Sequence, residues 1–492
     1  MAAIEMQPAV ALRSNARPLN LQSLPPASRP LVRAYLLGYA SAVAPRLLTL
    51  VLQFVSKKRR NAKKYLPADQ DERSFLDSAI RILRTGLELQ RFPAFCAALV
   101  GGSTLLQGPL YRLINSAAKS LDQAWRLRLA RWLSTFIAGW FSLQLLQSKK
   151  ISKPSETTSE NGAKSEAAPK RFAGRTLDLT LFAVTRALDV LVGELWDQRR
   201  TRRKAAQKWT GVEQFLTGMT DPLVFAASSG LIMWAWFYSP DRLPASYNKW
   251  ITSAASVDQR LLEALRRCKR GELQYGKETG QAALLGPMCT DYKLPYEWGD
   301  PAKSIPFPCE LVHMGSGSSC EVHAVRRFFR SWKWSMSTYL PLTLGLQLRK
   351  PSKMNPIKAF VSASRSSTFL ALFITLFYYG VCLGRNRLGP RLLGKDVACR
   401  QRIDGGICVG TGCLLCGWSV LVETIGRRKD MALFVAPRAL ATLVPRRYPV
   451  EQQWREKMVF AASTAVVFTC VLENPKRVRG VLGGILGMVI RN

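Results

Sequence analysis

The sequence predicts an all-α protein, a multi-pass membrane helix bundle built from two tandem, sequence-related halves. Three observations carry that expectation. Apolar segments recur along the whole chain and are closed by basic bursts such as Lys57-Lys58-Arg59-Arg60 and Arg199-Arg200-Thr201-Arg202-Arg203-Lys204. Hydrophobic residues make up 48% of a chain whose 71 Lys and Arg against 33 Asp and Glu leave a net charge of +38. Charge gathered between apolar runs is the pattern of a membrane protein with cationic loops, whereas a nucleic-acid binder collects charge on one face of a folded domain. Finally, three strings occur twice in the same order. Gly139-Trp140, Leu181-Phe182-Ala183-Val184-Thr185-Arg186-Ala187-Leu188 and Val224-Phe225-Ala226-Ala227-Ser228 are answered by Gly417-Trp418, Leu433-Phe434-Val435-Ala436-Pro437-Arg438-Ala439-Leu440 and Val459-Phe460-Ala461-Ala462-Ser463. A Pro and an Arg follow at equal spacing in each copy, Pro240 and Arg242, then Pro475 and Arg477. Ordered repetition of this kind marks a duplication, and 492 residues exceed what one compact core holds.

Residues 1–30, rich in Pro, read as a disordered N-terminus, and their Arg and Ser also fit a weak mitochondrial presequence. The first membrane helical repeat is expected over 31–244. It opens with an apolar helix at 33–54 and an amphipathic, interfacial helix at 74–92 carrying Leu76, Ile80, Leu83, Leu87 and Leu89. Helices at 93–114 and 127–146 follow, the latter closed by Lys149-Lys150. Ser, Thr, Glu, Lys and Pro then make 148–174 a flexible linker. Segments 176–196 and 223–238 complete the copy. Pro, Gly, Cys and acidic residues dilute the hydrophobic density over 245–325, a Cys-containing connector. The second membrane helical repeat, 326–492, is expected to carry helices at 332–348, 359–383, 405–425, 431–444 and 458–472, with a short apolar tail at 481–490. A spanning helix needs roughly 20 apolar residues, and several of these stop short. The sum of about ten such segments with basic caps is what favours a membrane. Basic residues flank the helices at both ends, so no orientation follows.

Gly406, Gly410 and Gly417, interleaved with Cys408, Cys413 and Cys416, place small residues where helix backbones can approach closely. They fit packing inside one bundle, or a channel or oligomer seam. Arg186 and Arg438 stand at equivalent sites inside apolar segments, where a guanidinium needs a partner, a wet cavity or a lipid head group. Asp189 shares a helical face with Arg186, while Ala441 stands at the matching place of the other copy. The alternative for both Arg is snorkelling from near a helix end. The two His of the chain fall in Cys309-x3-His313-x6-Cys320-x2-His323, a set that could hold tetrahedral zinc although its spacing matches no standard finger; free thiols are the other reading. An odd count of eleven Cys argues against a disulfide framework. No Gly-rich phosphate loop and no paired carboxylates on an apolar face are present, so no enzyme activity, catalytic residue or cofactor is expected. Zinc-finger, basic-zipper and aromatic RNA-binding signatures are missing, so no nucleic acid is expected either.

The block Pro308-Cys309, His313, Ser319-Cys320, then Tyr339-Leu340-Pro341-Leu342 with Arg349-Lys350, resembles the cysteine-rich opening of the transmembrane protein 135 family. Ser364-Arg365-Ser366-Ser367 and the glycine-rich 405–417 continue the resemblance, which covers 309–479 well and the first half more loosely. The chain departs from the family in having Gly317 and Ser318 where a Trp and a Pro precede the second Cys. The segment around Arg438 also resembles, more weakly, the channel-forming translocase family of the inner mitochondrial membrane. The resemblance implies a multi-pass protein of the peroxisomal membrane, with the mitochondrial membrane as alternative. It would act as a scaffold or regulator of organelle dynamics and lipid homeostasis, without assigned catalytic chemistry. A transporter or translocation channel formed by the two repeats is the other class the residues leave open. The partners expected are the phospholipid membrane, with anionic head groups at the basic loops, and either a second copy of the chain or organelle-division proteins.

Overall fold

The computed structural model describes residues 25–61, 69–148, 172–347, 355–475 and 477–490. Nearly all of the expected N-terminal lead-in (1–24) and linker (149–171) therefore lies outside the described residues, as does Lys149-Lys150. In chain order the helices are α1 (Arg29–Asn61), α2 (Asp69–Gly86), α3 (Phe92–Ala117), α4 (Gln123–Gln147), α5 (Leu177–Ala205), α6 (Gly211–Tyr238), α7 (Ala245–Ala255), α8 (Gln259–Arg270), α9 (Ala282–Asp291), α10 (Cys309–Val312), α11 (Cys320–Gln347), α12 (Pro356–Cys382), α13 (Gly389–Leu392), α14 (Val397–Arg402), α15 (Cys408–Cys416), α16 (Ile425–Leu443), α17 (Gln453–Glu473) and α18 (Gly480–Ile490). The strands among the described residues are β1 (Phe172–Ala173) and β2 (Tyr448–Pro449), paired antiparallel with Phe172 opposite Pro449. The expected all-α class is what the chain adopts.

Local chemistry sets the helix ends. Thr210 and Glu213 form a reciprocal cap on α6: the Thr210 hydroxyl accepts from the Glu213 amide at 3.4 Å, and the Glu213 carboxylate accepts from the Thr210 amide at 3.1 Å. Asn355 accepts from the Lys358 amide at 3.0 Å, with Pro356 at the first helical position of α12. Asp258 caps α8, which Gly271 closes in a left-handed conformation (φ 78°).

The chain divides into two compact units. One comprises the described residues up to Ala206 together with those from Arg446 onward. In it α1 packs on α2 and α3, α3 on α4, α4 on α17, and α17 on α5. Phe95, Val100, Leu143, Val190, Phe460, Phe468 and Val471 fill its core. A buried carboxylate sits inside it: Glu456 accepts from Thr176 at 2.6 Å and Thr180 at 3.0 Å, and from the Tyr448 hydroxyl. Three donors on one acceptor group make that burial tolerable without a cation.

The other unit runs from Gln207 to Pro445. Here α11 packs on α12, α12 on α15, and α6 on both α15 and α16. Phe225, Ile232, Trp236, Phe237, Phe369, Phe377, Val409 and Val420 form its main core. The expected connector is itself folded, because α8, α9 and α10 close a second core of Leu261, Leu273, Tyr275, Leu285, Met288, Phe307 and Leu311. The unit boundaries thus fall at 206/207 and 445/446, inside both sequence halves, and leave 245–325 within one unit.

Four helical stretches among the described residues are long and apolar enough to cross a membrane: Arg29–Phe54, Gly211–Tyr238, Pro356–Leu392 and Val397–Val422. That is fewer than the ten apolar segments of the sequence. The shortfall has local causes. Helix α5 carries Asp178, Arg186, Asp189 and Glu194 along its apolar stretch, and α18 spans eleven residues. Two of the four are interrupted, Pro356–Leu392 by a π turn at Leu383–Leu388 and Val397–Val422 by another at Ile403–Ile407.

Candidate metal centre

The sulfur and nitrogen chemistry of the chain converges where α10, α11 and α12 meet. Cys309 opens α10 directly after Pro308, and His313 follows its last turn. Met314 (φ 54°), Gly315 (φ 72°) and Gly317 (φ 97°) then turn the backbone back on itself, so that Cys320 can start α11 beside Cys309. Side chains seldom adopt such φ values, which is why two of those three positions are Gly. One ligand atom from each of Cys309, His313 and Cys320 lies within 4.8 Å of the others.

A fourth sulfur comes from far along the chain. Cys382, the last residue of α12, places its Sγ 3.4 Å from His313 Nε2, and the neighbouring Cys320 acts on its thiol electrostatically. His313 is 1% exposed and Cys382 6%. The carbonyl of Gly317 lies 2.8 Å from His313 Nδ1, which fixes the proton there and leaves the Nε2 lone pair facing Cys382. Asn386, on the π turn after α12, donates through Nδ2 to Cys309 Sγ at 3.0 Å and to Cys320 Sγ at 3.5 Å. Burial and the neighbouring Cys320 raise the Cys309 thiol above its ordinary range, while Arg385 pulls in the opposite direction.

His323, the fourth residue of the sequence pattern, stands outside this cluster. Its ring stacks flat on that of His313, with centroids 4.3 Å apart and planes 9° apart, and neither nitrogen has a hydrogen-bond partner among the described residues. Burial and the adjacent His313, Arg327 and Arg326 push its pKa down to about 3, so it is neutral.

Next to the cluster lies a second polar group that sequence reasoning missed. Arg385 is 3% exposed and directs Nε to Asp404 at 2.8 and 3.1 Å. The Tyr275 hydroxyl donates to the same carboxylate at 2.5 Å. Among the described residues, Arg385 Nη1 and Nη2 are buried without a hydrogen-bond partner. Arg385 and Asp404 each sit in one of the two π turns, and in the sequence each reads only as a charge ending an apolar run.

The other expected residues disperse. Arg186 is buried, donates to the Arg479 carbonyl at 3.2 Å and lies 5.1 Å from the Phe182 ring, while Asp189 pairs with Arg479 through Nε at 2.9 Å. Arg438 is half-buried, stacks 3.7 Å over Phe434 and donates to the Phe434 carbonyl at 2.7 Å. Of the glycines, Gly417 packs on α6, where an added Cβ would come 2.4 Å from Ala226 Cα. At Gly406 (φ 154°) and Gly410 a Cβ would meet the Trp234 ring, at 3.4 and 3.8 Å. All three therefore face residues of their own unit. Compared with protein-family models, with curated proteins and with solved structures, the chain gives no match.

Proposed function

We propose that this chain is a multi-pass integral membrane protein built from two copies of one helical unit, acting as a scaffold or regulator in an organelle membrane. The observation that carries the membrane reading is the set of four long apolar helices. Basic runs such as Arg199–Lys204, on the last turns of α5, suit the anionic head groups of such a surface. Two equivalent contacts support the duplication. Gly139 packs on Ala461, with a Cβ 3.2 Å from its Cα, as Gly417 packs on Ala226, and the two Ala hold matching places in the repeated Val-Phe-Ala-Ala-Ser string. The scaffold reading rests on the engagement of Arg186 and Arg438 with rings and carbonyls of their own units.

The resemblance to the transmembrane protein 135 family adds peroxisome dynamics and lipid homeostasis, with the mitochondrial membrane as alternative site. A second reading, a transporter or translocation channel, is favoured by one feature: two candidate spans are broken by π turns that carry the buried Arg385–Asp404 pair, as discontinuous helices do at transport sites. Carbonate extraction with imaging beside peroxisomal and mitochondrial markers tests the proposal. The protein should stay in the pellet and on one of the two organelles, and release into the soluble fraction would end the membrane reading. Solute flux through proteoliposomes would replace the scaffold with the channel.

A further inference from the structure

We propose that Cys309, His313, Cys320 and Cys382 bind one zinc ion in a closed tetrahedral centre that fastens the folded connector to the end of helix α12. This inference is independent of any function in the membrane.

The geometry comes first. With Zn–S near 2.3 Å and Zn–N near 2.0 Å, tetrahedral ligand atoms stand about 3.6 Å (N···S) and about 3.8 Å (S···S) apart. The His313–Cys382 separation of 3.4 Å is such an edge, and Cys309, His313 and Cys320 each offer a ligand atom within 4.8 Å of the other two. Closing the centre requires side-chain rotations that bring Cys382 Sγ onto the triad of Cys309, His313 and Cys320. Three thiolates and one imidazole select zinc among the common divalent ions, and four protein ligands leave no open position for catalysis. The site is structural.

The surroundings match a bound metal. A ligating His ordinarily gives its other ring nitrogen to a carbonyl, as His313 does with Gly317. Asn386 supplies the N–H···S contacts that thiolates accept. Zinc with three thiolates carries one net negative charge. Arg385 acts electrostatically on both Cys309 and His313, and its Nη1 and Nη2 are buried donors without a hydrogen-bond partner among the described residues. An anionic centre near this guanidinium offers acceptors to the Nη groups that Asp404, engaged through Nε, leaves unfilled. Binding is balanced by release of the proton from each of the three thiols to solvent, with no change of redox state. All eleven Cys are free thiols, so the ligands are in the form the site needs.

The test uses the full chain purified in detergent under reducing conditions without chelator. Elemental analysis should find one zinc per chain, and X-ray absorption at the zinc edge of the unmodified protein should report three sulfurs and one nitrogen. Cys382→Ser should lose most of the zinc, whereas His323→Gln should keep it. A shell of two sulfurs and two nitrogens, or retention by Cys382→Ser with loss in His323→Gln, would move the fourth ligand to His323 and overturn the assignment. Absence of zinc after reconstitution with excess zinc chloride, or a Cys309–Cys320 disulfide in the chain as isolated from cells, would remove the site altogether. The absorption measurement needs no variant and so does not depend on any variant's folding.

Discussion

Glu456 is a buried carboxylate held by hydroxyls rather than by a cation. Glu456→Gln keeps the shape but turns an amide N–H₂ toward donors, a loss of about 1–3 kcal/mol; Glu456→Leu strands all three hydroxyls and should cost more. Thermal unfolding of the detergent-solubilised protein should rank wild type above Gln above Leu. A Leu variant as stable as wild type would mean the hydroxyls find other partners. Asp258 gives a pH signature. The Arg260 guanidinium holds its carboxyl below the usual range against the opposing effect of burial. A lowered folded pKa means stability present above the ordinary carboxylate pKa and lost as pH falls through the lowered value. Acid titration of Asp258→Asn should therefore lack part of the stability loss that wild type shows below pH about 4. At this scale the Cys and His cluster was half legible. Cys309, His313 and Cys320 sit close in sequence and stay close in space, but Cys382 arrives only because α12 runs back to them, and no local spacing records that. His323 lies one turn into a helix, and its helical direction stacks it on His313 instead of turning it toward the sulfurs.

Among the elements, the glycine contacts are the sharpest test of helix packing. At Gly417 an added methyl would meet backbone, which cannot swing aside, so Gly417→Ala should cost about 1–3 kcal/mol. Gly139→Ala faces a looser 3.2 Å approach and should cost less. The two glycines lie in different units, so the losses should add within about 0.5 kcal/mol in the double variant. Chemical denaturation of the three variants checks both the order and the sum. Element positions were readable because apolar runs with basic ends dictate helices whether or not lipid surrounds them. The π turns at Leu383–Leu388 and Ile403–Ile407 were not, since an inserted residue in a helix leaves the apolar pattern almost unchanged. Which of the apolar segments are long enough to span was not readable for a related reason: periodicity cannot separate a buried helix from a spanning one when both are short of about 20 residues.

Over the whole molecule, the compact units and the sequence halves disagree about three helices, α6, α17 and the short α18. By the repeated strings α6 belongs with the first half and α17 with the second, yet α6 packs on α15 and α16 while α17 packs on α4 and α5. A fragment of residues 207–445 holds every buried member of its two cores, and should fold and resist protease in membranes when expressed alone. A fragment of 245–492, a true sequence half, lacks Phe225, Ile232, Trp236 and Phe237 and should be degraded. Equal protease resistance of the two fragments would show that the halves, not the units, are the cooperative bodies. Composition could not reveal this, because the apolar pattern of a helix does not record which groove it enters, and only tertiary contact decides that.

The crossed membership of α6 and α17 also imposes a timetable on the ribosome. Helices α1 to α5 emerge first, yet their bundle lacks its central helix until residues 453–473 have been made. The later unit, by contrast, has all its helices once Leu443 has emerged. The part of the protein translated first is thus the last to close, and through most of synthesis its exposed groove must be kept from wrong partners by lipid or by a chaperone.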